Sequence, residues 1–194
     1  MAIAINGAGT ITGISAGGLP DGTVDADTLA SGVGGKVLNV VQTVKTDVYT
    51  TNSSSWIKVG TGGTELAVSI TPSATSSKIL VLYSMPVSSQ TVSCSQHFAL
   101  YRDSTHIFKG DSSSSRAVVT IDTDSYGAGD KATRLVAGQF LDSPSSTSAL
   151  SYAMYVRRST GSTYTINVNR CSQDYDNDDS GRQASSITVM EISS

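Results

Sequence analysis

Apolar and polar positions alternate with a period of two over most of the chain. The clearest stretch runs from Trp56 to Val87. In Glu65–Thr71, Leu66, Val68 and Ile70 alternate with Ala67 and Ser69, which predicts a strand with one apolar face. In Lys78–Pro86, Ile79 to Leu82 are apolar without a break, which predicts a strand covered on both sides. Pro72 and Pro86 cannot donate to a ladder and are read as strand ends. Further strands are predicted at Val37–Tyr49, Trp56–Val59, Gln96–Arg102, Ile107–Lys109, Arg116–Ile121, Arg134–Leu141, Leu150–Arg158, Thr163–Asn169 and Ser185–Ile192. No segment sustains a 3.6-residue period. The pattern predicts an all-β, antiparallel β-sandwich of jelly-roll-like form. Its expected core is Trp56, Leu80, Leu82, Phe98, Leu100, Phe140, Tyr152, Met154 and Val189.

Residues 1–35 break the pattern. Ile3, Ile5, Ile11, Ile14, Leu19, Val24 and Leu29 are spaced through a Gly-rich background. They are too sparse to close a core and too regular for a plain Gly/Ser linker. The expected division is an extended attachment arm over 1–35, ordered by other chains, and a β head over 36–194.

Composition adds little charge to this picture. Charged residues make up 15% of the chain, against about 25% in ordinary domains, and hydroxyl side chains take their place. Together with strands that are apolar in both phases, as in Val37–Val41, this predicts association of several chains. A net charge of −3 gives no basic footprint for nucleic acid. No apolar run approaches the ~20 residues of a membrane span, and the N-terminus does not read as a signal peptide. Cys94 and Cys171 lie in no Cys-x-x-Cys pattern; a pairing across adjacent strands is open, and two buried or half-buried thiols are the plainer reading.

Little of the sequence points to catalysis. Gly13–Gly17 matches a nucleophile elbow only in letters, because Gly18-Leu19-Pro20 follows where a helix should begin. No carboxylate pair is placed as a glycosidase acid and base, and the two histidines, His97 and His106, cannot build a three-His metal site in one chain. His97 is expected on the face opposite Phe98 and Leu100, as a solvated surface side chain. The expectation is a protein that is not an enzyme and that carries no cofactor, with one reservation. Asp174, Asp176 and Asp178 alternate as in a calcium loop, although Asp179 stands where an EF-hand has glycine and Ser185 where it has glutamate. A Ca2+ site of another kind and a solvated acidic loop are both open readings.

Binding is expected at two long acidic loops, Asp122–Lys131 and Gln173–Gln183. Asp124, Tyr126, Tyr175, Asp176, Asn177 and Asp178 offer rings for sugar C–H faces and oxygens for sugar hydroxyls. Two polar turns that only cap strands are the plainer alternative.

The runs GLPDGTVDADTLASG, GKVLNVVQTVKTD, SITPSATSSKILVLYSMPV and FALYRDSTHIFKGD resemble tail-fibre and related virion proteins of tailed phages. So do LDSPSSTSALSYAMYVRRSTGSTYTINVNR and the close SGRQASSITVMEIS. The resemblance is greatest to phages of aquatic bacteria, cyanobacteria among them, and covers nearly the whole chain. It implies a virion protein made in the host cytoplasm, carried on the tail or capsid surface as a homotrimer. Residues 1–35 would bind other virion proteins, and the head would meet a host surface glycan. The head follows the arm almost at once, unlike long fibres. That leaves a short tail fibre or tail-tip adhesin beside a purely structural decoration or tail-assembly protein.

Overall fold

The computed structural model describes residues 36–89, 94–124, 132–161 and 163–193. Residues 1–35 and Tyr126 lie outside them. The described elements are all strands. The first sheet holds β1 (Val37–Lys45), β2 (Tyr49–Thr51), β5 (Lys78–Ser89), β9 (Arg134–Asp142), β11 (Ile166–Val168) and β12 (Ser185–Ile192). The second holds β3 (Ile57–Lys58), β4 (Ala67–Ile70), β6 (Ser95–Arg102), β7 (Thr105–Ile107), β8 (Ile121–Asp124) and β10 (Leu150–Arg158).

Several of these segments are halves of one interrupted strand. β12 and β11 pair with successive parts of β5, at Lys78–Ser84 and Val87–Ser89. β1 and β2 continue one another against β12 and β11. β4 and β3 do so along β10, and β7 and β8 along β6. Each sheet thus has four strand positions, in the orders β1/β2–β11/β12–β5–β9 and β3/β4–β10–β6–β7/β8. In chain order these are positions 1-8-3-6 and 2-7-4-5, the antiparallel order of a jelly roll.

The core lies between the sheets. From the first come Ile79, Val81, Tyr83, Met85, Val87, Val136, Ile166, Ile187 and Val189, and from the second Val68, Ile70, Phe98, Leu100, Tyr152, Met154 and Val156. Phe98, Leu100, Tyr152, Met154 and Val189 are buried as expected. Leu80 and Leu82 are only half-buried, because β5 is covered on one face and they stand on the other. Trp56 is half-buried for the same kind of reason, and Phe140 packs at the core margin against Phe108. Gly138 lies opposite Tyr83, and a Cβ there would come within 2.5 Å of the phenol oxygen. Glycine is what lets that ring lie across the strand.

Polar side chains close the ends of the sandwich. Arg102 and the Tyr152 hydroxyl each donate to Asp142 at 2.7 Å, joining the second sheet to β9. Glu191 is buried at the end of β12 and accepts from the Ser73 amide and from the Ser73 and Ser77 hydroxyls at 2.6–2.7 Å. Burial alone would raise its pKa; these donors outweigh it and hold the carboxyl below its usual value.

The interruptions share one anchor. Asn169 takes a left-handed φ of 65°, which turns the chain out of the sheet after β11. Its side chain donates to the Lys45 and Asp47 carbonyls at 2.9 and 3.0 Å and accepts from the Ser185 hydroxyl at 2.6 Å. Its amide donates to the Pro86 carbonyl, and its carbonyl accepts from the Gln183 amide. Lys45, fully buried, donates to Asp47 and to the Thr64 carbonyl of the second sheet's β3–β4 excursion.

Several expected strand limits change, Ile107–Lys109 among them, where the strand is Thr105–Ile107 instead. Val37–Tyr49 is not continuous; it breaks after Lys45, where the chain bends to bring Asp47 onto the ammonium. Pro86 does not end β5, which runs on to Ser89. In an antiparallel ladder a residue's N–H and C=O face the same neighbour. The Pro86 carbonyl faces Asn169, so its missing donor falls at the gap between β11 and β12. Arg116–Thr120 is not strand either, and β8 starts later and takes in Asp122–Asp124 because these pair with Ser95–His97.

Asn169→Asp should cost about 3 kcal/mol or more, since it replaces two buried donations with a carboxylate facing two carbonyls. Urea unfolding at neutral pH checks this; a loss well below 1 kcal/mol would remove Asn169 as the anchor.

Candidate functional site

The acidic loop between β11 and β12 is an insertion in one strand position. Arg170 and Arg182 bridge its base, and both guanidiniums grip Asp174, at 3.0 and 2.6 Å. Above this, the Tyr175 amide donates to the Ser180 hydroxyl and the Asp179 amide to the Asn177 side chain. Tyr175 is thereby held on the tip, 50% exposed, with Asp176, Asn177 and Asp178 exposed beside it. The Gln183 side chain donates to Thr133, so the foot of this loop touches the strand entry that follows the other loop. Asp124 is exposed at the end of β8.

Of the calcium candidates, Asp174 is committed to two arginines. The described residues gather no group of three His, Cys, Asp or Glu side chains that could hold a metal. Cys94 and Cys171 are free, buried thiols.

The outer face of the second sheet carries a second cluster, which the sequence reading did not single out. Antiparallel partners share a face, so the register sets its rows. Tyr101 stands beside His106, Tyr155 beside Lys58, and Arg157 beside His97, which in turn faces Asp122. Ala67, Ala99 and Ala153 stand in the same phase and leave room for rings. Trp56, just before β3, completes the group. Tyr101 stacks on His106 at 5.3 Å and meets Tyr155 at 4.3 Å, and Trp56 lies 6.4 Å from Tyr101 and 6.0 Å from His106. The Arg157 guanidinium sits over the Trp56 ring at 5.0 Å.

Beside this cluster is a depression of about 490 Å³. His97, Arg157 and Asp122 form its floor, Ser115, Arg116 and Ala117 come from the β7–β8 excursion, and Ser159 and Thr160 follow β10. His97 does lie on the face opposite Phe98 and Leu100, but it is only 7% exposed rather than solvated. Its Nδ1 has no partner among the described residues, and its Nε2 stops 3.7 Å from Asp122 Oδ1. Burial, helped by the Arg157 charge, lowers its pKa to about 4. Burial and then the Asp124 charge raise that of Asp122. The alternation in HFALYR and YAMYVRR already placed Tyr101, Tyr155, Arg157 and His97 out of phase with the core residues, and that was the missed signal.

The fold and this surface define an antiparallel β-sandwich head of jelly-roll order, with an aromatic and charged outer face on one sheet. Compared with models of protein families and with curated proteins, the chain matches none.

His97 should stay neutral down to about pH 5 and take up its proton near pH 4. An unfolded histidine binds that proton near 6.5, so the His97 contribution to stability is lost as pH falls from 6.5 toward 4. Imidazole NMR shifts against pH read this directly; an ordinary midpoint near 6.5 would contradict the burial described.

Proposed function

We propose that the chain is a structural protein of a tailed-phage virion, a short tail fibre or tail-tip adhesin that attaches to the host surface through its β head. The observation that carries this reading is the contrast between the two outer faces of the sandwich. On the first sheet, Val40, Val44, Leu80, Leu82, Met190, Leu135, Ala137 and Leu141 point away from the core, with Gln42, Ser84, Gln139, Ser186 and Thr188 between them. Leu135 is 66% exposed, Val40 54% and Leu141 53%. Among the described residues of β1, β5, β9 and β12 in this phase, the ionisable group is Lys78, at the margin and bonded to Ser143, while the Arg170 guanidinium reaches the Asn167 side chain beyond the far end of the patch. Such a face favours burial at about 25 cal/mol per Å² and offers a charged partner nothing to pair with. A matching uncharged face is available on every other copy of the chain. The partner proposed for it is the chain itself, three copies with these faces toward a common axis.

The aromatic face of the second sheet would then point outward, which supports a role in contact with a host glycan. Residues 1–35 would join the head to other virion proteins. The apolar face alone would serve equally in a trimeric capsid decoration or tail-assembly protein, which is the second reading. Both readings place the chain on the particle and neither calls on catalysis.

Antibody to the head should label one site on intact virions by electron microscopy, and purified head should bind host cells and compete with phage adsorption. Labelled virions without head–cell binding would shift the assignment to the decoration reading. Virions that carry no label would overturn both.

A further inference from the structure

We propose that the depression floored by His97, Arg157 and Asp122 is a binding site for an acidic saccharide, with Arg157 and Arg116 taking its carboxylate or sulfate group. The inference deepens the adhesin reading and rests on it for its biological setting, but it stands on a different surface from the acidic loops.

The depression is built from four separate parts of the chain: β6, β10 and its continuation, β8, and the excursion between β7 and β8. Two guanidiniums line it against one carboxylate. Arg157 is the fixed one, held between the Trp56 ring and the row that carries His97. Arg116 is exposed, and its guanidinium donates to the Ser113 hydroxyl at 2.9 Å at the rim of the depression. Paired guanidiniums suit a planar or tetrahedral oxyanion, because each presents donors in a fixed fork.

The remaining lining selects a polyol rather than a bare anion. The Ser115, Ser159 and Thr160 hydroxyls and the Asp122 carboxylate supply the donors and acceptors that sugar hydroxyls need. His97 lies beside them, its Nε2 3.7 Å from Asp122 Oδ1. Next to the depression the half-buried Trp56 and Tyr155 present ring edges and faces to the next sugar unit, whose C–H side is apolar. Arg157 belongs to both parts, so the anionic group and the stacked unit would lie on adjoining residues of one oligosaccharide.

The test uses the full-length protein and isothermal titration calorimetry with three saccharides of equal length. These are an oligogalacturonate, a sulfated hexose oligomer and neutral maltohexaose, with inorganic sulfate alone as a fourth arm. Saturable binding of the uronate or the sulfated oligomer, weaker binding of maltohexaose and weaker binding of inorganic sulfate are expected. The uronate and sulfate arms tell which acid group the site takes. Arg157→Ala and Arg116→Ala should each weaken binding on the order of tenfold or more, as loss of a charged hydrogen bond implies. Arg116 is exposed and outside the core, so its variant keeps the test valid if Arg157→Ala unfolds. Trp56→Ala should weaken binding of the acidic oligomers.

Absence of saturable binding by either acidic oligomer would overturn the proposal. So would equal binding of maltohexaose, or full affinity in Arg116→Ala. Inorganic sulfate binding as tightly as the oligomers would leave an anion site and overturn the saccharide part. Acidic-sugar binding without any attachment to host cells would count against the adhesin reading alone, and attachment that survives Arg116→Ala and Arg157→Ala would move it to another surface.

Discussion

The sandwich depends on the side chain of Asn169. At this residue one strand position of the first sheet opens to release the loop between β11 and β12, while its neighbour, β1/β2, breaks at the same level. A gap in two adjacent strands would leave carbonyls without donors inside the protein, and each would cost free energy. One amide side chain covers the gap by donating to Lys45 and Asp47 and accepting from Ser185. The left-handed backbone, the tolerance for Pro86 in a central strand and the buried ammonium of Lys45 all follow from that arrangement. Because Lys45 reaches Thr64, the anchor also ties the first sheet to the second.

Interrupted strands have a functional consequence. Three of the four strand positions that break release an excursion: residues 59–66 from β3/β4, 108–120 from β7/β8, and 169–184 from β11/β12, while β1/β2 breaks over 46–48 alone. The sheets themselves stay four strands wide, so the excursions carry variable chemistry without disturbing the core. The β7–β8 excursion walls the depression over His97. The β11–β12 excursion raises Tyr175. The outer face over β1, β5, β9 and β12 carries no such excursion and remains apolar. The two sides of the head therefore differ in chemistry, charge-poor and apolar on one and aromatic and charged on the other.

Much of this was legible in the residue pattern. Alternation in β4, β6, β10 and β12 gave the right core phase for Val68, Phe98, Leu100, Met154 and Val189, and the absence of a helical period gave the all-β class. The unbroken run Ile79–Leu82 misled because it looks the same whether the second face meets a sheet or meets solvent and partners. Strand limits failed where a side chain, not propensity, decided them: Lys45 and Asp47 cut β1, and pairing with Ser95–His97 drew Asp122–Asp124 into β8. The aromatic cluster was hidden because its members come from β3, β6, β7 and β10, and only the cross-strand register brings them into rows. Asp174 looked like a metal ligand because its two arginine partners sit four and eight positions away along a loop whose closure the sequence does not display.

The central claim is that the charge-poor outer face of the first sheet is buried between copies of the chain. Sedimentation equilibrium of the protein beside Leu135→Asp/Leu141→Asp tests it most directly, since both leucines are exposed and outside the core. The account predicts three associated 20.1 kDa chains for the unaltered protein at micromolar concentration. It predicts a monomer with an unchanged β-type circular dichroism spectrum for the double variant. A stable monomer of the unaltered protein, or a trimer that both aspartates leave intact, would contradict it.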